Sequence, residues 1–186
     1  MRSAHAFVIC GPTAVGKGCI IEQLLLAVPE LWYSVSATTR HPRPGEVEGK
    51  NYYFVTPERF DELVAAGGML EWAQVHGEHR YGTPRQPVTE KLAAGRDVLL
   101  ELDLAGARQV RESLPQAIQI FVAPPTWQEL EARLIGRGTE SEVERNRRLQ
   151  TAKVELAAQD EFDYVIVNDT VAQATAELVQ IVRANQ

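Results

Sequence analysis

The stretch Gly11-Pro12-Thr13-Ala14-Val15-Gly16-Lys17-Gly18 decides how this chain is read. It follows a short apolar run, Ala6-Phe7-Val8-Ile9-Cys10, and precedes a segment where Ile20, Ile21, Leu24, Leu25 and Val28 recur at helical spacing. A buried strand, a glycine-rich turn and a helix in that order are the context a phosphate-binding loop requires. The glycines let the backbone curl until successive N–H groups face one anion, and the helix adds the positive end of its dipole. Lys17 stands where it reaches the β- and γ-phosphates of a nucleoside triphosphate. The pattern G-x-x-x-x-G-K is complete, but its last position, usually Ser or Thr, is Gly18. The plain alternative is an ordinary strand-to-helix turn with a solvated lysine.

The rest of the composition suits one α/β domain with small inserted lobes: 186 residues, 45% hydrophobic and 24% charged. A net charge of −6 argues against a nucleic-acid surface as the main purpose, while leaving room for a local arginine cluster around a phosphate. Cys10 and Cys19 flank the loop without metal or disulfide spacing and read as reduced thiols, Cys10 as a core residue. No run approaches the roughly 18 apolar residues of a membrane span, and five residues before the first strand are too few for a signal peptide. A soluble, cytoplasmic protein is expected.

Along the chain, Trp32-Tyr33-Ser34-Val35-Ser36 reads as a second short strand. Residues 37–46 carry two prolines and a glycine and read as a loop holding Arg40 and Arg43. Residues 51–55 are strand-like, and Thr56-Pro57 opens a short helix. A strand over 70–75 carries Glu71; residues 77–84 read as a polar turn and 87–94 as a helix. The apolar run from Val98 to Leu102, flanked by Asp97 and Asp103, has the form of a central parallel strand whose C-terminal end meets a ligand. A helix over 104–113, a strand over 117–122 and two capping boxes, Thr126/Glu129 and Ser141/Glu144, follow. The second box opens a helix with Arg145, Arg147 and Arg148; a strand over 164–167 and a C-terminal helix close the chain. This alternation predicts an open parallel sheet flanked by helices, interrupted by a lobe over about 37–86.

At this point the chain resembles the guanylate kinases, from about Phe7 to the last helix. The motifs that carry the resemblance are Gly11 to Gly18, Ser36-Ala37-Thr38-Thr39-Arg40 with Arg43, Gly45 and Glu46, and Tyr52-x-Phe54. They continue through Leu70-Glu71-Trp72-Ala73, Tyr81-Gly82-Thr83, Asp103 with Gly106-Ala107, Arg133 with Arg137-Gly138, and Val167-Asn168-Asp169. The resemblance implies an α/β fold: a P-loop parallel sheet flanked by helices, a mixed α+β GMP-binding lobe and a small helical lid. It divides the chain into a core over about 1–35, 87–135 and 149–186, a lobe over about 36–86 and a lid over about 136–148. The implied activity is ATP-dependent phosphorylation of GMP to GDP, with Mg²⁺ as cofactor and ATP and GMP, with dGMP as a further candidate, as small-molecule partners. No nucleic-acid polymer or membrane is expected, and the chain is expected as a monomer or small homo-oligomer.

Guanine offers donors at N1 and N2, and a carboxylate accepting from both is their complement, the role implied for Glu71. Ser36 and Thr83 are implied beside the base, and Glu101 and Asp103 at the GMP site. Arg40 and Arg43, three apart on the loop, could by themselves be plain surface charge; the resemblance implies a charged fork for the GMP phosphate, with Tyr52 and Tyr81 completing the ring. The resemblance assigns ATP to Gly11, Pro12, Thr13, Ala14, Val15, Gly16, Lys17, Gly18, Cys19 and Asn168, and catalysis to Lys17, Arg133, Arg137 and Arg148. Because the attacking atom is already a phosphate oxygen, catalysis needs positioning and neutralised charge rather than a strong base.

The chain departs from the family in places. Gly18 removes a hydroxyl that often touches Mg²⁺, so no protein ligand is assigned and the metal is expected on phosphates and water. Ala14 stands where glycine is frequent, Cys19 where Thr is usual, Glu101 for the more usual Asp and Ala105 for Gln. The turn before Tyr81 reads as one residue longer than in many members. Two other readings compete: a phosphopeptide-binding module of this scaffold and a kinase for another phosphorylated acceptor, such as a ribose bisphosphate. The first predicts loss of Lys17 and the lid arginines, the second loss of Glu71, Ser36 and Thr83; all of these are present.

Overall fold

The computed structural model describes residues 3–75, 77–136 and 140–186. Its principal sheet has five parallel strands: β1 (Ala6–Cys10), β2 (Trp32–Tyr33), β7 (Val98–Glu101), β8 (Ile118–Ala123) and β9 (Tyr164–Val167), in the order β2-β7-β1-β8-β9. β1 is paired on both sides, so all five of its residues are buried. That is why its sequence is an unbroken apolar run. The pleat sends alternate side chains to opposite faces. Phe7 and Ile9 pack with Ile20, Leu24, Leu130 and Leu178 of α1 (Lys17–Ala27), α5 (Trp127–Ile135) and α7 (Val171–Ala184). Ala6, Val8 and Cys10 pack with Val88 of α3 (Arg85–Ala93) and Ala107 and Val110 of α4 (Leu104–Ser113).

A second, four-stranded sheet is built from residues between 37 and 84. Its strands β3 (Ala37–Thr38), β4 (Tyr53–Phe54), β5 (Met69–Val75) and β6 (His79–Pro84) run in the order β4-β3-β6-β5, with α2 (Pro57–Ala65) against them. Phe60, Ala37 and Met69 form its small core. Leu70 instead belongs to the β1–α4 cluster, which welds this sheet to the main one. The remaining helix, α6 (Glu142–Ala157), is followed by a short 3₁₀ turn at Gln159–Glu161.

Where the chain punctuates itself, the structure follows. Thr56, Asp103, Thr126, Ser141 and Thr170 each accept a backbone N–H at a helix start. At Ser141/Glu144 both halves of the capping box form; at Thr126/Glu129 the side-chain cap alone is seen. Two expectations change. The expected strand over 32–36 ends its pairing at Tyr33; the chain then crosses, Ser36 accepts from the Tyr53 N–H at 2.9 Å, and Ala37–Thr38 joins the second sheet. The polar turn expected over 77–84 holds β6, antiparallel to β5. Its outer residues are polar and half-exposed, so no alternation marks it. Gly82 fits because a Cβ there would stand 2.7 Å from the Glu71 carbonyl.

The turn after β1 is pressed onto the sheet: a Cβ on Gly11 would meet the Val122 carbonyl oxygen at 2.4 Å. Gly18, in the first turn of α1, has open space around it. Gly11→Ala is therefore expected to destabilise the fold by about 2–4 kcal/mol. Gly18→Ala, a helix position without steric cost, is expected to stabilise it by about 0.5–1 kcal/mol. Urea unfolding of the two variants checks the pair; equal effects would contradict the packing described.

Candidate active site

The loop between β1 and α1 gathers at the C-terminal edge of the main sheet. Gly16 is left-handed at φ 97°, and α1 begins without a side-chain cap, so its first N–H groups remain available to an anion. Ala14 also lies in the left-handed region, at φ 69°. A methyl there costs about 1–2 kcal/mol relative to glycine, and the loop around it sustains that cost. The Asn168 amide, after β9, donates to the Val15 carbonyl at 2.8 Å, and Arg133 from α5 reaches the same oxygen at 3.5 Å. The Lys17 ammonium folds over the loop and donates to the Gly11 and Pro12 carbonyls. Cys19 is exposed beside it; Cys10 is buried, and burial pushes its thiol up to about 12, which keeps it protonated.

Two clusters lie across from the loop. In the first, Glu71 on β5 and Thr83 on β6 face each other in register, and the Thr83 hydroxyl donates to Glu71 Oε1 at 2.6 Å. Asp103 caps α4 by accepting the Gly106 N–H at 2.7 Å. A Cβ on Gly106 would stand 3.1 Å from both Glu71 Oε2 and Asp103 Oδ1, so glycine here lets the two carboxylates converge. Burial pushes the Glu71 carboxyl above the ordinary carboxylate range; the Thr83 bond opposes this and the Asp103 charge adds to it. An adjacent pair, Tyr33 donating to Glu101 Oε2 at 2.9 Å, closes the end of β7.

In the second cluster Arg40 stacks over the Tyr52 ring, 5.4 Å from its centroid, and its Nε donates to the Tyr81 hydroxyl at 3.2 Å. The two tyrosine rings meet edge-on at 5.9 Å. Glu46 accepts both arms of the Arg40 guanidinium at 2.9 and 3.0 Å, and the Arg43 N–H at 2.8 Å. The Arg40 bonds, with Arg43 adding to them, hold the Glu46 carboxyl below its ordinary range. The Arg43 side chain is exposed on the same loop, and Ser36 is engaged through its backbone with Tyr53.

Arg148 on α6 pairs with Glu140 rather than with the loop. Arg137 lies outside the described residues. A cavity of about 400 Å³ between the loop and α6 is lined by Thr13, Arg147, Arg148 and Glu155. Glu155 is nine-tenths buried, and its Oε2 has no partner among the described residues. Burial raises its pKa, against the pull of Lys17. Sequence reasoning passed over Glu155, whose place on α6 looks like any helical acid. Glu46 enters the sequence only as part of a motif; an acid six residues after Arg40 on a proline-bound loop is its signal.

Comparison with known proteins gives the family of the chain. A family model described as guanylate kinase matches residues 3–185. A guanylate kinase of Leifsonia xyli subsp. xyli is 59% identical over 97% of this chain and 71% of its own length. One from Cutibacterium acnes is 60% identical over 94% of this chain and 87% of its own. The crystal structure of guanylate kinase from Anaplasma phagocytophilum superposes with a TM-score of 0.74 at 30% identity, covering all of this chain and 88% of that one. With a phosphate loop, a second sheet carrying the buried carboxylate, and relatives this similar over nearly its full length, the chain belongs to the guanylate kinase family.

Proposed function

We propose that this guanylate kinase works through two sites facing each other across the C-terminal edge of its main sheet. ATP lies on Gly11 to Cys19, with Asn168 beside its base. GMP lies against the second sheet, its guanine read by Glu71, Thr83, Ser36 and Asp103 and its phosphate held by Arg40, Arg43, Tyr52 and Tyr81, with Glu101 at the border. The observation that carries this reading is the buried Glu71 carboxylate bonded to Thr83 at 2.6 Å: two N–H donors in a row on one planar base suit it. A lobe over about 36–86 and a lid over about 136–148 would bring the two nucleotides together and shut out water, which competes as acceptor.

The transfer itself makes one bond and breaks one. A GMP phosphate oxygen attacks the γ-phosphorus of ATP, and the bond to the β,γ-bridging oxygen breaks to release ADP. Lys17, held over the loop carbonyls, supplies positive charge to the moving group, and Arg133 stands next to the loop to add a second. Arg137 and Arg148 complete the set in this reading. Arg148 must first leave Glu140. Glu46 keeps the Arg40 guanidinium in one plane ready for a dianion.

Mg²⁺, carried by the ATP phosphates, would neutralise charge on the β- and γ-oxygens. Among the described residues no three acids, imidazoles or thiols cluster to cage a metal. Gly18 has no hydroxyl, so phosphates and water suit the ion as its main ligands. Glu155, buried in the cavity beside the loop, would accept from such a water. No helix among the described residues is long and apolar enough to cross a membrane. We place the enzyme in the cytoplasm, as a monomer or small homo-oligomer.

ADP release from ATP and Mg²⁺, with GMP, AMP, CMP and UMP as acceptors, tests the reading. Turnover with GMP alone is expected; GMP binding without turnover would favour the phosphopeptide module. Glu71→Ala removes two charge-assisted bonds of about 1.5–3 kcal/mol each, so KM for GMP should rise by about a hundredfold or more. Unchanged GMP use would remove Glu71 from the base-reading set. Arg137→Ala should depress kcat far more than either nucleotide's affinity, and steady-state kinetics with an affinity loss alone would remove it from catalysis.

The raised Glu71 pKa acts on GMP binding and on stability in opposite directions. GMP needs the ionised carboxylate, so KM for GMP should climb as pH falls through that raised value and stay flat in Glu71→Gln. Stability runs the other way. Between the ordinary carboxylate pKa and the raised one the folded state holds more protons than the unfolded, so stability falls as pH rises through that window. Glu71→Gln should therefore melt higher than the parent at neutral pH, and a lower melting point would contradict the burial argument.

A further inference from the structure

β5 is the outer strand of the second sheet, and an outer strand leaves alternate N–H and C=O groups without a ladder partner. At Trp72 one side chain takes both. The Gln109 amide on α4 donates to the Trp72 carbonyl at 3.0 Å, and its Oε1 accepts the Trp72 N–H at 3.0 Å. This is the pairing a neighbouring strand would make, supplied instead by a helix. One turn further along α4, the Ser113 hydroxyl donates to the Leu70 carbonyl at 2.6 Å, where the β5–β6 register slips. Glu71 is the residue between these two clamped peptides. One turn back, Gly106 gives the Glu71 carboxylate its room beside Asp103.

A strand paired on one side only can swing about its ladder, and its side chains swing with it. We propose that Gln109 is a positioning residue for base selection: its two bonds stop β5 from turning about the β6 ladder and so fix where the Glu71 carboxylate is presented. This rests on the reading of Glu71 as the group that accepts from guanine N1 and N2. Gln109 itself touches no substrate and acts only through the Trp72 peptide. Both of its bonds lie at the exposed edge, where water replaces them in a variant, so the loss falls on orientation more than on folding.

The test compares kcat/KM for GMP with that for inosine monophosphate, which lacks the N2 amino group. Gln109→Leu keeps the side-chain stem and removes both bonds. The GMP preference should fall by about tenfold, with KM for GMP raised and both kcat and KM for ATP within about twofold of the parent. Gln109→Glu keeps the acceptor for the Trp72 N–H and loses the donor; an intermediate preference is expected, and this variant serves if Gln109→Leu does not fold. Glu71→Gln runs beside them. If it abolishes the preference while the Gln109 variants retain it, even with a lowered melting temperature, Gln109 merely covers the edge and the inference is overturned. If Glu71→Gln leaves the preference intact, the reading of Glu71 falls and the inference with it.

Discussion

The close approach of Gly11 to the Val122 carbonyl, backbone against backbone, is the constraint on which the site depends. It seats the phosphate loop on the rim of β8 and leaves no play between the loop and the sheet. β1, paired on both sides and wholly buried, delivers the chain to that point. Because all five strands are parallel, their C-terminal ends share one rim: the loop at β1, Glu101 and Asp103 at β7, Asn168 at β9. A ligand crevice at the carboxyl edge of a parallel sheet follows from that geometry. Asn168 and Arg133, both reaching the Val15 carbonyl, tie the loop to elements far along the chain.

Helix α4 is the second fixed piece. Its N-cap Asp103 and its Gly106 form one wall of the pocket around Glu71, while Leu70 packs into the same core as Ala107 and Val110. If Glu71 reads the base as proposed, selectivity and stability oppose each other at that wall. A carboxylate buried beside another acid costs the fold free energy at neutral pH. The hydroxyl of Thr83 offsets only part of it. In the proposed reading a base-reading group here requires that cost, since an exposed carboxylate would lose its donors to water.

The parallel core was legible because each of its signals is local. An apolar run, a glycine turn, side-chain caps such as Ser141 and Thr170, and helical spacing all survive in sequence. β6 was not, because its fit depends on Gly82 lying against the Glu71 carbonyl, a contact across strands that leaves no periodicity behind. The two-residue strand at Ala37–Thr38 was hidden for the same reason. Within the site, Glu71 and Thr83 were named from motifs, and the structure brings them to 2.6 Å. Gln109 and Glu155 carried no such mark: each looks like a solvated helical residue until β5 or the phosphate loop is placed against it.

In the proposed reading a buried, ionised Glu71 is the acceptor for guanine. A carbon-13 NMR titration of its side-chain carboxyl, without and with saturating GMP, tests this most directly. A pKa above the ordinary carboxylate range is expected in the free enzyme, falling when GMP supplies two N–H donors to the anion. An ordinary value in the free enzyme, or one that GMP leaves unmoved, would contradict it.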